Sequence, residues 1–286
     1  MLRPSIRELL RAFEVKDPPP DRQKAVTSTL LRDMLELSQG WTTIERHAAE
    51  LIVGAFFFAM RACEFCETRK AGRTIPITTG NVTFRDKWHV LLDQNDPEIS
   101  QKAKFVSVCF VDQKNGRKMD RRTQQKTGGS LCPVTSWAKV CRRVRRWGGN
   151  DMTNVFELPN RQEEERVDAQ LVTTLLRRTC ILMQGKRAYG IEPREIGTRS
   201  IRSGAAMALF MKGHSVERIK ILGRWSSDAF MVYIRPQVLE WTNVMSRDMA
   251  RSRGFMDLYE RGNQNARRDD GEAEAGLMPS FGPHRR

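Results

Sequence analysis

Two arginines three residues apart, Arg199 and Arg202 in "RSIR", are followed by Trp225 in "LGRW" and by Tyr233, one of only three tyrosines in the chain. Upstream, Arg61 and Glu64 stand three apart in "MRACE". A guanidinium presents its N–H groups as a fixed fork that can meet two oxygens of one anion with parallel hydrogen bonds. An indole N–H donates one more such bond, and a phenolic oxygen becomes a nucleophile once its proton has somewhere to go. Brought together, such residues would bind an oxyanion and stabilise charge that grows on it. The structural alternatives are equally concrete: Tyr233 as a core ring with its hydroxyl at the surface, Trp225 as a packed side chain. Arg199 and Arg202 stand at the start of the apolar helical stretch "SGAAMALF", where two arginines without an anion would be costly to bury.

The composition points to a polyanionic partner. Lys plus Arg number 49 against 34 Asp plus Glu, a net charge of +15 and a pI near 10.0. A hydrophobic content of 40% in 286 residues is ample for a packed core. The longest apolar run, residues 48–60, contains Glu50 and falls short of the ~18 residues a membrane span needs, which predicts a buried helix. The N-terminal residues carry no apolar stretch leading to a small-residue cleavage site, so no secretion is expected and the thiols are expected to stay reduced.

Several elements must position the candidate residues. Thr42 and Glu45 read as a capping box that opens a helix through Met60, with Arg61 near its end. Cys63 and Cys66 share a face of the helical pattern and read as small core residues, because the other four cysteines supply no second zinc-type pair. Residues 81–93 and 104–111 alternate in the strand manner, and an Asn-Gly turn at 115 and 116 follows, which predicts a small antiparallel sheet. Pro133 opens a helix over 132–147 whose last turn holds Arg142, Arg143, Arg145 and Arg146, either a solvated face suited to the helix dipole or a phosphate contact. Asp168 caps a helix to about Gln184, Gly213 stops the next, and Ser215 and Gly223 bound a short one. A further turn carries Tyr233, and residues 235–250 can form an amphipathic helix. The expected fold is mostly α with a small antiparallel β-sheet (α+β). Residues 1–23 read as an N-terminal segment with a proline-rich spacer, 24–262 as one domain and 263–286 as a disordered tail.

The order of the motifs resembles the catalytic domain of the tyrosine recombinase (phage integrase) family, and is most similar to the versions in eukaryotic mobile elements of the DIRS and Crypton type. That family carries a first arginine in an R-x-x-E pattern, here Arg61 with Glu64, then an H-x-x-R box, then an L-G-H or L-G-x-W box, then a tyrosine. The resemblance spans roughly residues 40–240 and implies the recombinase catalytic-domain fold. It also implies a site made of Arg61, Lys114, Arg199, Arg202, Trp225 and the nucleophile Tyr233. Lys114 takes the place of the family's hairpin lysine, with Lys118 and Lys126 as rivals. The implied reaction breaks and rejoins DNA through a 3′-phosphotyrosyl intermediate and uses no metal and no cofactor. The implied partners are double-stranded DNA and further copies of the chain on DNA, with no membrane and no small-molecule substrate. A nuclear location follows if the source is eukaryotic, a cytoplasmic one otherwise.

Two departures qualify the resemblance. Arg199 stands where the family has histidine and cannot accept a proton at ordinary pH. Only about forty residues precede the capping box, where the family's complete enzymes carry a core-binding domain. A DNA-binding relic without strand-transfer activity is therefore the alternative, ahead of an RNA-binding or structural basic protein.

Overall fold

Helices begin where a side chain can satisfy the first unpaired backbone N–H groups. In the computed structural model, which describes residues 23–68, 74–113, 116–159, 165–186, 189–227 and 231, Thr27 accepts from the Leu30 N–H at 3.1 Å and opens α1 (Ser28–Leu37). Thr42 and Glu45 form the expected reciprocal box at the head of α2 (Thr43–Phe57), and a single turn, α3 (Ala62–Phe65), follows. Next come β1 (Val82–Arg85), β2 (Leu91–Leu92), the short α4 (Ile99–Lys102), β3 (Phe105–Asp112) and β4 (Lys118–Gln125). Pro133 occupies the first turn of α5 (Pro133–Arg146), where its missing N–H costs nothing. After the ribbon of β5 (Glu157–Leu158) and β6 (Glu165–Arg166), Asp168 accepts from the Leu171 N–H at 2.7 Å and caps α6 (Ala169–Leu182). The described part closes with α7 (Thr198–Met211) and α8 (Val216–Gly223), the latter capped by Ser215.

The architecture is mostly helical with a small four-stranded antiparallel sheet, strand order β2-β1-β3-β4, and the separate two-stranded β5-β6 ribbon. Lys114, Asn115, Tyr233, the expected helix from residue 235, the proline-rich spacer and the tail lie outside the described residues. The chain divides into two units, Met1–Gln237 and Val238–Arg286, and every described residue belongs to the first. No described helix is long and apolar enough to cross a membrane, and no group of three metal-ligating side chains occurs among the described residues.

Every residue of α2 from His47 to Phe56 is buried, the signature of a helix surrounded by protein. α1, α5, α6 and α7 pack around it. Gly54 permits close approach of α5: a Cβ there would stand 2.9 Å from the fully buried indole of Trp137. The sheet differs from a simple alternation. Val106 to Phe110 of β3 are all buried because β3 is central and covered on both faces, whereas the edge strand β4 alternates between exposed and half-buried positions.

Glu50, the charge inside the apolar run, is explained by α5. Arg143 donates to Glu50 Oε2 at 2.7 Å and to His47 Nδ1 at 3.0 Å, while His47 Nε2 bonds the Val155 carbonyl at 2.8 Å. An arginine only donates and a carbonyl only accepts, so His47 is the neutral tautomer with its proton on Nε2. Burial first, and the Arg143 charge second, push its pKa down to about 3. Because the unfolded chain takes up this proton near pH 6.5 and the folded one refuses it, the contribution to stability is complete above pH 6.5 and is lost as pH falls toward 3. Between pH 7 and 5 the loss is about 2 kcal/mol. Urea denaturation at those two pH values is expected to show this decrement shrinking by that amount in His47→Gln; an equal decrement in both proteins would refute the assignment.

Candidate active site

The expected helix from Thr42 through Met60 stops three residues early. Ala59 adopts a left-handed conformation (φ 45°), the chain turns, and Arg61 heads the separate helix α3 instead of ending α2. Glu64 holds it there: its carboxylate accepts from the Arg61 backbone N–H at 2.8 Å and from Arg61 Nη1 at 3.0 Å. The Arg61 side chain is 23% exposed and that of Glu64 1%. Of the two cysteines in this turn, Cys66 is buried as expected and Cys63 is half-buried.

Arg202 lies in the second turn of α7. Its Nη1 donates to the Ala59 carbonyl at 2.7 Å, its Nη2 to the Gly223 carbonyl at 2.5 Å, and its guanidinium lies 4.4 Å from the centre of the Trp225 ring. The structure thus brings Arg202 and Trp225 together beside the turn that leads to Arg61. The burial cost expected for Arg199 and Arg202 does not arise. Arg199 is exposed, and two backbone carbonyls accept from the fork of Arg202. Among the described residues no side-chain hydrogen bond or ion pair joins Arg199 to Arg61, Arg202 or Trp225; its backbone N–H donates to Gln23 Oε1 at 3.2 Å and its carbonyl accepts from the Ser203 hydroxyl at 3.2 Å.

The end of α8 also differs from a glycine stop. Arg224 takes the left-handed conformation (φ 58°, ψ 38°), while Gly223 serves close approach: a Cβ there would fall 1.6 Å from the Trp225 ring. The Arg224 side chain is fully buried. Its Nη2 donates to Glu64 Oε2 at 2.7 Å, its Nη1 to the Phe58 carbonyl at 3.1 Å, and its guanidinium lies over Phe110 at 3.5 Å. Burial lowers its pKa to about 10 against the opposing pull of Glu64, so it stays charged at neutral pH. Nothing in the pattern of "LGRW" singles Arg224 out as buried, since arginine is among the residues most often exposed.

The hairpin reaches the same region. Arg122 on β4 donates from Nε to the Ile221 carbonyl at the end of α8 (3.1 Å) and pairs with Asp120 at 2.8 Å. Of the rival lysines, Lys118 is exposed at the start of β4, whereas Lys126 Nζ is bonded to the carbonyls of Ser100 (2.8 Å) and Gln101 (3.1 Å). The four arginines of α5 divide. Arg143 and Arg145 pair with Glu50 and Asp151, while Arg142 and Arg146 are exposed along an open cleft of about 1140 Å³. That cleft lies at the other end of the α2–α5 pair from Arg61, since His47 and Glu50 meet Arg143 whereas Gly54 and Phe58 meet Trp137.

No family model and no curated protein matches this chain. Similar solved structures are integrases and recombinases. The Tn1549 transposon integrase in complex with circular intermediate DNA aligns with a TM-score of 0.42 and 12% identity over 76% of this chain. The same integrase with transposon right end DNA gives 0.42 and 13% over 78%, and XerA recombinase 0.39 and 13% over 87%. The chain spans 62%, 67% and 66% of those three chains respectively.

Proposed function

We propose that the chain is a DNA strand-transferase of the tyrosine recombinase kind. The observation that carries this reading is the seam just described: Arg202 bridges the Ala59 turn before Arg61 and the Gly223 turn before Trp225, so motifs far apart in the chain meet in one place. In this reading the Tyr233 oxygen gives up its proton to water or another side chain, Arg199 being unable to take it, and attacks a DNA phosphorus; the bond to the 5′-oxygen breaks, and a 3′-phosphotyrosyl link forms. Arg61 and Arg202 stabilise the charge on the non-bridging oxygens, and Trp225 adds an indole donor. The leaving 5′-oxygen takes a proton from a lysine. Lys114 is the choice for that part, with Lys118 and Lys126 as rivals, and of these two the exposed Lys118 fits better than Lys126, whose ammonium is engaged. The reaction uses no metal or cofactor. Double-stranded DNA is the partner, and the segment after Tyr233, with Trp241 as apolar anchor, serves self-association on it. One domain over 24–262 and, in a eukaryotic source, a nuclear location belong to the same reading.

One observation favours a second reading, a DNA-binding relic: both terminal nitrogens of Arg202 already bond backbone carbonyls, as in an arginine kept for the fold. A suicide duplex that traps covalent protein separates the two, with Tyr233→Phe as the blank. The proposal expects an adduct that survives denaturation. It also expects duplex affinity whose logarithm falls with log salt by about 0.9 for each phosphate contacted. Salt-sensitive binding without adduct establishes the relic, and a flat salt dependence overturns both.

A further inference from the structure

We propose that Arg224 is a positioning residue for Arg61, acting through Glu64. The inference rests on the reading above in taking Arg61 as a phosphate ligand.

Glu64 is held from two sides. On the half-exposed side it accepts two N–H groups of Arg61, at 2.8 and 3.0 Å; from the interior it accepts Arg224 Nη2 at 2.7 Å. A carboxylate that is 1% exposed needs its lone pairs met by fixed donors, and Arg61, on its one-turn helix, supplies them from one direction only. Arg224 supplies the opposing donor and is itself fixed by the Phe58 carbonyl and the Phe110 ring. Neither carboxylate oxygen can then swing without losing a bond.

A merely stabilising role accounts poorly for this arrangement, because buried ion pairs are often no better for stability than apolar residues of the same volume. What the pair supplies is a fixed direction. The backbone adds a second link. The left-handed conformation at Arg224 turns the chain so that the next residue, Trp225, lies back over Gly223 and against Arg202. One residue thereby sets Arg61 through its side chain and Trp225 through its backbone.

The test uses the full chain, its Arg224→Met, Arg224→Lys and Arg224→Met/Glu64→Gln variants, and three readouts: thermal midpoint, adduct rate on the suicide duplex, and the guanidinium ¹⁵N–¹H signals of Arg61, assigned by their loss in Arg61→Lys. Arg224→Met leaves Glu64 without its interior partner and is expected to lower the midpoint. The double variant removes the buried charge and is expected to recover much of it. The amide introduced by Glu64→Gln keeps one acceptor oxygen where the carboxylate has two, so the Arg61 signals are expected to average through free rotation. The adduct rate is expected to stay down by on the order of 10²-fold, the scale of a ~1 Å misplacement. Arg224→Lys, a point charge without a fork, should fall between. Recovery of rate together with midpoint in the double variant, or unchanged Arg61 signals, overturns the proposal. If the unsubstituted chain forms no adduct, the recombinase reading fails by itself; averaged Arg61 signals in Arg224→Met, where Glu64 is intact, still uphold the positioning role, and unchanged ones still sink it.

Discussion

Arg202→Ala is expected to abolish covalent adduct formation on a suicide duplex, while Arg199→His preserves or raises it. Arg202 stands at the junction of two turns and against Trp225, so its loss removes a charge-stabilising fork, on the order of 10²–10³-fold in rate. It also leaves the Ala59 and Gly223 carbonyls without their donor, a stability loss of about 1–3 kcal/mol. Adducts must therefore be measured well below the variant's thermal midpoint. Arg199 is exposed, one turn earlier on α7, and a guanidinium cannot accept the tyrosine proton. A histidine there can, and general acid–base help typically contributes ~10²–10⁴-fold. Should Arg199→His prove as inactive as Tyr233→Phe, Arg199 is itself a phosphate ligand and the proton-acceptor argument fails.

Gly223→Ala is expected to damage both fold and site, although it adds one methyl group. The new Cβ would lie 1.6 Å from the Trp225 ring, far inside contact, so the ring must leave its place over Gly223 and against Arg202. Overpacking of this kind costs about 1–3 kcal/mol. Gly129→Ala is the control, because nothing lies within 4 Å of a Cβ at that position. Chemical denaturation should place Gly223→Ala below the control by that amount, with adduct formation reduced as well. Equal stability and rate in the two variants would show that Trp225 packs elsewhere.

Helix starts were legible in the residues themselves. Thr42, Asp168 and Ser215 cap helices three residues before the N–H they accept from, and Pro133 opens one, because capping is settled within a single turn of chain. The burial of residues 48–56 was legible for a similar reason: a run so nearly apolar all round, with Glu50 as its one charge, has no stable place except inside. The arginine forks and the order of the three motifs likewise stand in the sequence, and with them the kind of anion such residues suit. The partners of those arginines are another matter. Arg202 is served by carbonyls of Ala59 and Gly223, and Arg224 by Phe58 and Glu64, up to 166 positions away. A backbone carbonyl carries no residue signature, so no pattern could announce that it would receive a guanidinium. The conformations of Ala59 and Arg224 were equally hidden, since side chains other than glycine enter the left-handed region only when surrounding contacts outweigh the local preference. Local chemistry determined where the helices begin and which residues could hold an anion; only the packing of α2, α7 and α8 decided that Arg202 meets Trp225 while Arg224 turns inward to Glu64, because burial makes every guanidinium take whichever acceptors the fold brings within reach.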